Sequence, residues 1–168
     1  MTTTPDPDQD AIETVRNLIK GIDIAMLTTV TEEGLVSRPM KTQEVEFDSD
    51  LWFMTMKDTD KYDELLRYPN VNISYVGKSY VSIRGTAELV NNREKIKELW
   101  NIAYEKMLQT TSDDPNLILI KVKANVAEYW EMGNWTKMVK QLFDKLAGTD
   151  SDETDINQVV DLNNNKQD

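Results

Sequence analysis

Trp52-Phe53-Met54-Thr55-Met56-Lys57-Asp58-Thr59-Asp60-Lys61 is the stretch on which the reading of this chain turns. Its first half is apolar on both faces, as a buried strand is, and its second half opens a helix. Hydroxyls and cations collect at the junction: Thr55, Lys57, Thr59 and Lys61. A helix N-terminus carries unpaired N–H groups and a partial positive charge, so the junction suits a phosphate. Taken by itself it has a simpler reading, in which Thr59 or Asp60 caps the helix and both lysines are solvated.

Outward from this junction the chain reads mostly as strands. On the N-terminal side, Asp10 and Glu13 resemble a capping box, and Ile12, Val15, Leu18 and Ile19 recur at helical spacing until Gly21, so a helix is expected over about 10–20. Ile24 to Val30 reads as a buried strand, turned by Thr31 to Gly34 into a second strand, Leu35 to Thr42, whose pattern Val45 and Phe47 continue. Leu51 to Met56 is the third. The helix after Thr59 is short, with Tyr62, Leu65 and Leu66 on one side and Pro69 as its stop.

Val71, Ile73 and Tyr75 then alternate, and Gly77-Lys78 turns the chain into a long strand with Val81, Ile83, Gly85, Ala87 and Leu89 on one face. Asn92 caps an amphipathic helix carrying Ile96, Leu99, Trp100, Ala103 and Met107. The last long strand runs from Leu117 to Trp130, and a final helix from about Trp135 to Leu146, closed by Gly148. Six strands in consecutive hairpins, with helices at the ends and at one crossover, predict a mainly β fold: an antiparallel sheet forming a small barrel with flanking helices.

The composition narrows the function. A length of 168 residues suits one domain. Residues 1–9 read as a flexible N-terminus, 10–148 as the folded domain and 149–168 as a disordered acidic tail, with six acids against Lys166. The net charge of −11, which stays negative without the tail, argues against nucleic-acid and anionic-membrane partners. There is no cysteine and no histidine, which removes thiolate catalysis, Cys/His zinc sites and every histidine-based triad. With no signal-like start and no apolar run of membrane-spanning length, a cytoplasmic location is expected.

Gly77-Lys78-Ser79 imitates the end of a phosphate loop, but Asn72 stands where the loop needs glycine, and a strand follows in place of a helix. No Gly-x-Gly-x-x-Gly is present. Ser37-Arg38-Pro39-Met40 is more informative. A proline inside a strand places the stretch at a sheet edge or irregularity. Arg38 shares its face with Val36, Met40 and Thr42, where it either pairs with an acid or offers its fork to a phosphate. Arg84 alternates with Ile83 and is expected to face water.

Four segments, in order and spacing, are similar to the pyridoxamine-5′-phosphate-oxidase-like, FMN-binding split-barrel superfamily, and within it to the general stress protein 26 group. They are Ser37-Arg38-Pro39-Met40; Trp52-Phe53-Met54-Thr55 leading to Thr59 and Lys61; Val81-Ser82-Ile83-Arg84-Gly85-Thr86-Ala87; and Asp114-Pro115 with Glu128-Tyr129-Trp130. The resemblance spans about residues 10–147 and implies a six-stranded antiparallel split barrel, working as a homodimer with flavin mononucleotide (FMN) in a cleft between subunits. It further implies that Arg38, Lys61 and Thr59 hold the FMN phosphate, with Thr59 where the group usually has serine. Backbone around Pro39, Met40, Thr55 and Met56 would meet the isoalloxazine ring. Trp130, and with it Trp135, would approach from the other subunit, while Lys57 has no role.

Two departures qualify what the resemblance implies. Lys106 to Ser112 lacks the aromatic, proline-containing stretch common in the group, which leaves room for a different cofactor. No arginine follows Arg93 and there is no histidine, so the C-terminal substrate segment of true pyridoxamine phosphate oxidases is missing and that activity is not expected. The reading that results is an FMN-dependent oxidoreductase acting on a small molecule, such as a nicotinamide-type reductant. The alternative is a non-catalytic flavin-binding protein for storage or sensing.

Overall fold

The computed structural model describes residues 7–43, 47–131, 144–146, 148 and 157–162. In chain order these form α1 (Pro7–Ile19), β1 (Ile24–Thr31), β2 (Gly34–Lys41), β3 (Asp50–Met56), α2 (Asp60–Arg67), β4 (Asn70–Val76), β5 (Ser79–Val90), α3 (Arg93–Leu99), α4 (Ile102–Leu108), β6 (Leu117–Glu131) and β7 (Asn157–Asp161). Every strand pairing is antiparallel. The order across the sheet is β2-β1-β4-β5-β6-β3, and the sheet is not closed, in keeping with a split barrel. Gly21, at φ 79°, ends α1 in a left-handed conformation that costs glycine little.

The expected six strands are present, but they are not all consecutive hairpins. β3 leaves the β1–β2 hairpin and among the described residues pairs only with β6, from Asp50 opposite Lys123 to Met56 opposite Leu117. Local alternation carries no information on such a partner. β6 has fifteen residues, and β3 covers only its first half. The second half, Val126 to Trp130, is covered by β7.

β7 corrects the expectation of a wholly disordered tail, since residues 157–161 form a strand. The reason is tertiary. Val160 packs against the core, Leu162 is buried, and the Leu162 N–H donates to the Asn125 carbonyl at 2.7 Å. Shortening this anchor with Leu162→Ala is expected to cost about 2 kcal/mol, read as a lowered urea midpoint. An unchanged midpoint would show that the segment adds nothing to stability.

The alternating residues of β4, β5 and β6 line the interior, where Ile73, Val81, Ile83, Val122 and Ala127 are buried. Leu65 of α2 joins this core, whereas Leu66, expected on the same side, is 61% exposed. Phe47 lies outside any strand yet is buried. Arg84 is exposed, as its alternation predicted.

The helix expected from Asn92 to about Met107 is two helices. Asn92 caps α3 by accepting from the Lys95 N–H, but Trp100 is extended and Asn101 caps anew, accepting from the N–H groups of Ala103 and Tyr104. Asparagine is among the strongest N-caps, and here it prevails over the continuing apolar spacing. The break turns Tyr104 fully inward, where its hydroxyl meets Gln43 and the Lys41 carbonyl at the end of β2. Of the last predicted helix only residues 144–146 fall within the described residues, where they are helical; Trp135 lies outside them.

Candidate functional site

β3 runs into α2 as the Trp52–Lys61 stretch predicted, but Thr59 does not cap the helix with its side chain. Its hydroxyl turns back and donates to the Met56 carbonyl at 2.8 Å. The first-turn N–H groups of α2 therefore receive no side-chain cap from Thr59. Lys57 donates its N–H to the Asn116 carbonyl at 2.9 Å.

Lys61, on the first turn of α2, reaches the interior edge of β2. Its ammonium lies 3.3 Å from the Met40 sulfur. Lys61 is half-buried and, among the described residues, has no carboxylate within ion-pair distance. Burial, and then the charge of Arg38, push its pKa below the ordinary lysine value.

Arg38 projects inward from β2, paired across the strand with Leu27 of β1. Its Nη1 and Nη2 donate to the two Glu64 oxygens at 2.7 and 2.8 Å, and Nη1 also donates to the Thr29 hydroxyl at 3.1 Å. Thr29, fully buried, donates in turn to Glu64 at 2.9 Å. The Arg38 hydrogen bond holds the Glu64 carboxyl below its ordinary pKa, and the Arg38 pKa is raised by the same bond.

The pairing that competes with a phosphate role is thus present, yet it does not consume the guanidinium. Arginine has five N–H groups in a fixed plane. Glu64 takes the end-on fork and Thr29 the outer Nη1 hydrogen, which leaves Nε–H and the second Nη2–H side by side without a partner among the described residues. That free fork matches two oxygens of an oxyanion. A groove of about 470 Å³ that Arg38 lines and Lys61 does not carries Glu32, Glu33, Asp60 and Asp63 as well as Arg67, which pairs with Glu32 at 2.8 Å, so its acidic balance does not favour an anion there.

The cluster brings together Arg38, Met40 and Lys61, with Thr59 and Met56 at the turn before them. Glu64 and Thr29 were not singled out from the sequence. Lys61 and Glu64 are three apart on one helix, a spacing that puts them on neighbouring positions of its surface and could have drawn attention to Glu64. Thr55 is buried on β3, and Pro39 points outward from β2, opposite Met26. Trp130 is apart from the cluster. It lies on β6, opposite Tyr80, with β1, β4 and β5 between it and β2.

Among the described residues, the donor set of one ammonium without a carboxylate, one guanidinium fork without an acceptor and a helix start with no side-chain cap fits a phosphate group. Among the described residues no cluster of carboxylates could hold a metal ion, and no helix is long and apolar enough to cross a membrane.

Solved structures share the fold. General stress protein 26 from Bacillus anthracis str. Sterne aligns at a TM-score of 0.61 with 23% identity, over 72% of this chain and 92% of that one. A Clostridium acetobutylicum protein related to general stress protein 26 of B. subtilis aligns at 0.63 with 20% identity, over 74% of this chain and 90% of that one. The general stress FMN/FAD binding protein of Xanthomonas citri aligns at 0.63 with 24% identity, over 73% and 89%. Among curated proteins the sequence finds no match. The profile of the family described as pyridoxamine 5′-phosphate oxidase like matches residues 10–152, nearly the whole chain, and the protein belongs to that family.

Proposed function

We propose that the protein binds FMN in a cleft shared by two copies of the chain and is a flavin-dependent oxidoreductase acting on a small molecule. The observation that carries this is Lys61, a half-buried cation that among the described residues has no carboxylate, beside the Arg38 fork that has no acceptor among them. Charge buried without a partner is costly, and a phosphate relieves it. Family membership and the flavin-binding name of the X. citri protein support the same cofactor.

Bound flavin would supply the redox chemistry. The chain would bind and orient it: Lys61, Arg38 and Thr59 at the phosphate, backbone near Pro39, Met40, Thr55 and Met56 along the ring, and Trp130 from the second copy. The second copy is supported by an apolar row, where Val76, Tyr80 and Trp130 follow one another across β4, β5 and β6, and by Ile24 at the start of β1. Ile24 and Val76 are 51% and 62% exposed, more than a lone soluble sheet face needs. A sedimentation experiment reporting only monomer would remove the shared cleft.

One observation favours the non-catalytic reading. Glu64, the carboxylate of the cluster, is held ionised by Arg38 and is not poised to give up a proton near neutrality. Anaerobic mixing with NADH or NADPH separates the two, because only the oxidoreductase bleaches its flavin.

Flavin titration followed by absorbance tests the site. Lys61→Ala is expected to weaken FMN binding about tenfold or more, the worth of one charged hydrogen bond. The phosphate selects the protonated amine, so wild-type affinity should be flat near neutrality and begin to fall in the alkaline range below pH 10.5, the ordinary lysine value. Lys61→Arg should move that fall upward. Colourless protein that takes up no added FMN would sink the proposal.

A further inference from the structure

A second cavity, of about 530 Å³, lies between the end of α1, the loop into β1, the start of β3 and Tyr75 of β4. It shares no residue with the Arg38–Lys61 cluster. Its volume is that of a small-molecule pocket, and Ile22, Phe47, Trp52 and Phe53 give it apolar and aromatic walls. Two of the side chains lining this space carry donors with no protein partner among the described residues. Tyr75 as a whole is only 3% exposed, but its hydroxyl has no hydrogen-bond partner among the described residues, and since no buried side-chain polar atom there lacks one, the hydroxyl opens into the cavity. Arg16 is half-buried and fixed through Nε, which donates to the Phe47 carbonyl at 2.8 Å, while its two terminal nitrogens have no partner among the described residues.

Donors that open into an apolar cavity are the few convergent polar groups by which a small-molecule pocket fixes the orientation of its ligand. We propose that this cavity is a binding site for a small planar aromatic carboxylate. The aromatic walls take the ring, Tyr75 donates to an acceptor on it, and the terminal nitrogens of Arg16 offer a carboxylate the end-on fork it matches. The other charges around the cavity are compatible. Lys20 adds positive charge, Asp50 is neutralised by Lys121 at 3.3 Å, and Glu13 and Asp23 are exposed to water that screens them.

Fluorine NMR with para-fluorobenzoate on the full chain tests the site. Saturable binding of one probe per chain is expected, and Tyr75→Phe and Arg16→Gln should each weaken it about tenfold. Tyr75→Phe should unfold close to the wild-type urea concentration, since it removes only a hydroxyl open to the cavity; a marked loss of stability would show that the hydroxyl has a protein partner and would overturn the proposal. Three further results overturn it: no saturable binding, tighter binding of fluorobenzylamine than of fluorobenzoate, or displacement of the probe by FMN. Unchanged probe affinity in Tyr75→Phe would do so even if Arg16→Gln failed to fold.

Discussion

Arg38→Ala is expected to destabilise the protein by about 3 kcal/mol, and Glu64→Gln by only about 1 kcal/mol, in urea unfolding. The two changes break the same ion pair but leave different remainders. Without Arg38, the Glu64 side chain, 15% exposed, keeps its charge and the Thr29 hydroxyl but loses its counterion. Without the Glu64 charge, Arg38 still finds Thr29, a glutamine oxygen and more water, since its side chain is 26% exposed. In the double variant the orphaned carboxylate is gone, so its cost should fall below the sum of the singles by about 1–2 kcal/mol. Equal single effects with no coupling would show that the pair is not held in solution.

The sign with pH follows from the carboxylate. Because Glu64 titrates below its ordinary value of 4.5, the stabilisation is complete above that pH and is lost as acid protonates it. Arg38→Ala should abolish that acid-sensitive part of the stability curve. In flavin titrations the same variant should weaken FMN binding about tenfold, through loss of the side-on fork.

Gly85→Ala should also be severe, at about 3 kcal/mol, for a steric reason. The β5–β6 register shifts between Arg84 and Gly85, and this bulge brings the β6 backbone onto the glycine. A Cβ there would stand 2.4 Å from the Lys123 carbonyl oxygen and 2.8 Å from a Val122 methyl group. Neither can retreat without breaking the pairing of the two longest strands. Gly77→Ala is the control, because its Cβ would meet only the flexible tip of Ile22. Similar melting temperatures for the two variants would show that the bulge yields as easily as a side chain.

What the sequence disclosed depended on whether the deciding interaction was local. β4 and β5 were legible because Val71, Ile73, Tyr75, Val81 and Ile83 alternate and the Gly77-Lys78 turn joins them. Asn92 was legible as a cap, but Asn101 was hidden inside apolar spacing that a single helix would also satisfy. β7 was masked by its acidic neighbours, since Val159, Val160 and Leu162 are too few to read as a strand without the open edge of β6 beside them. At the site, Arg38 and Lys61 stood out by residue type and position. Glu64 did not, because its meaning comes from an arginine twenty-six residues earlier, on another strand.

The displacement of β3 also shapes the route by which this chain folds. Its neighbours in sequence, β2 and β4, both join the β1 side of the sheet, while its own partner residues on β6 come more than sixty positions later. On a growing chain, β1, β2, β4 and β5 can assemble as they emerge, but β3 waits unpaired, its apolar Leu51 to Met56 run uncovered, until Leu117 to Lys123 is made. Closing so long a loop is slow, which makes the docking of β3 on β6 the natural late step and the interval before it the time of greatest risk of aggregation. The strand that leads into α2 and its lysine is therefore among the last to be secured, and the flavin phosphate site proposed at that junction would form only when nearly the whole sheet has.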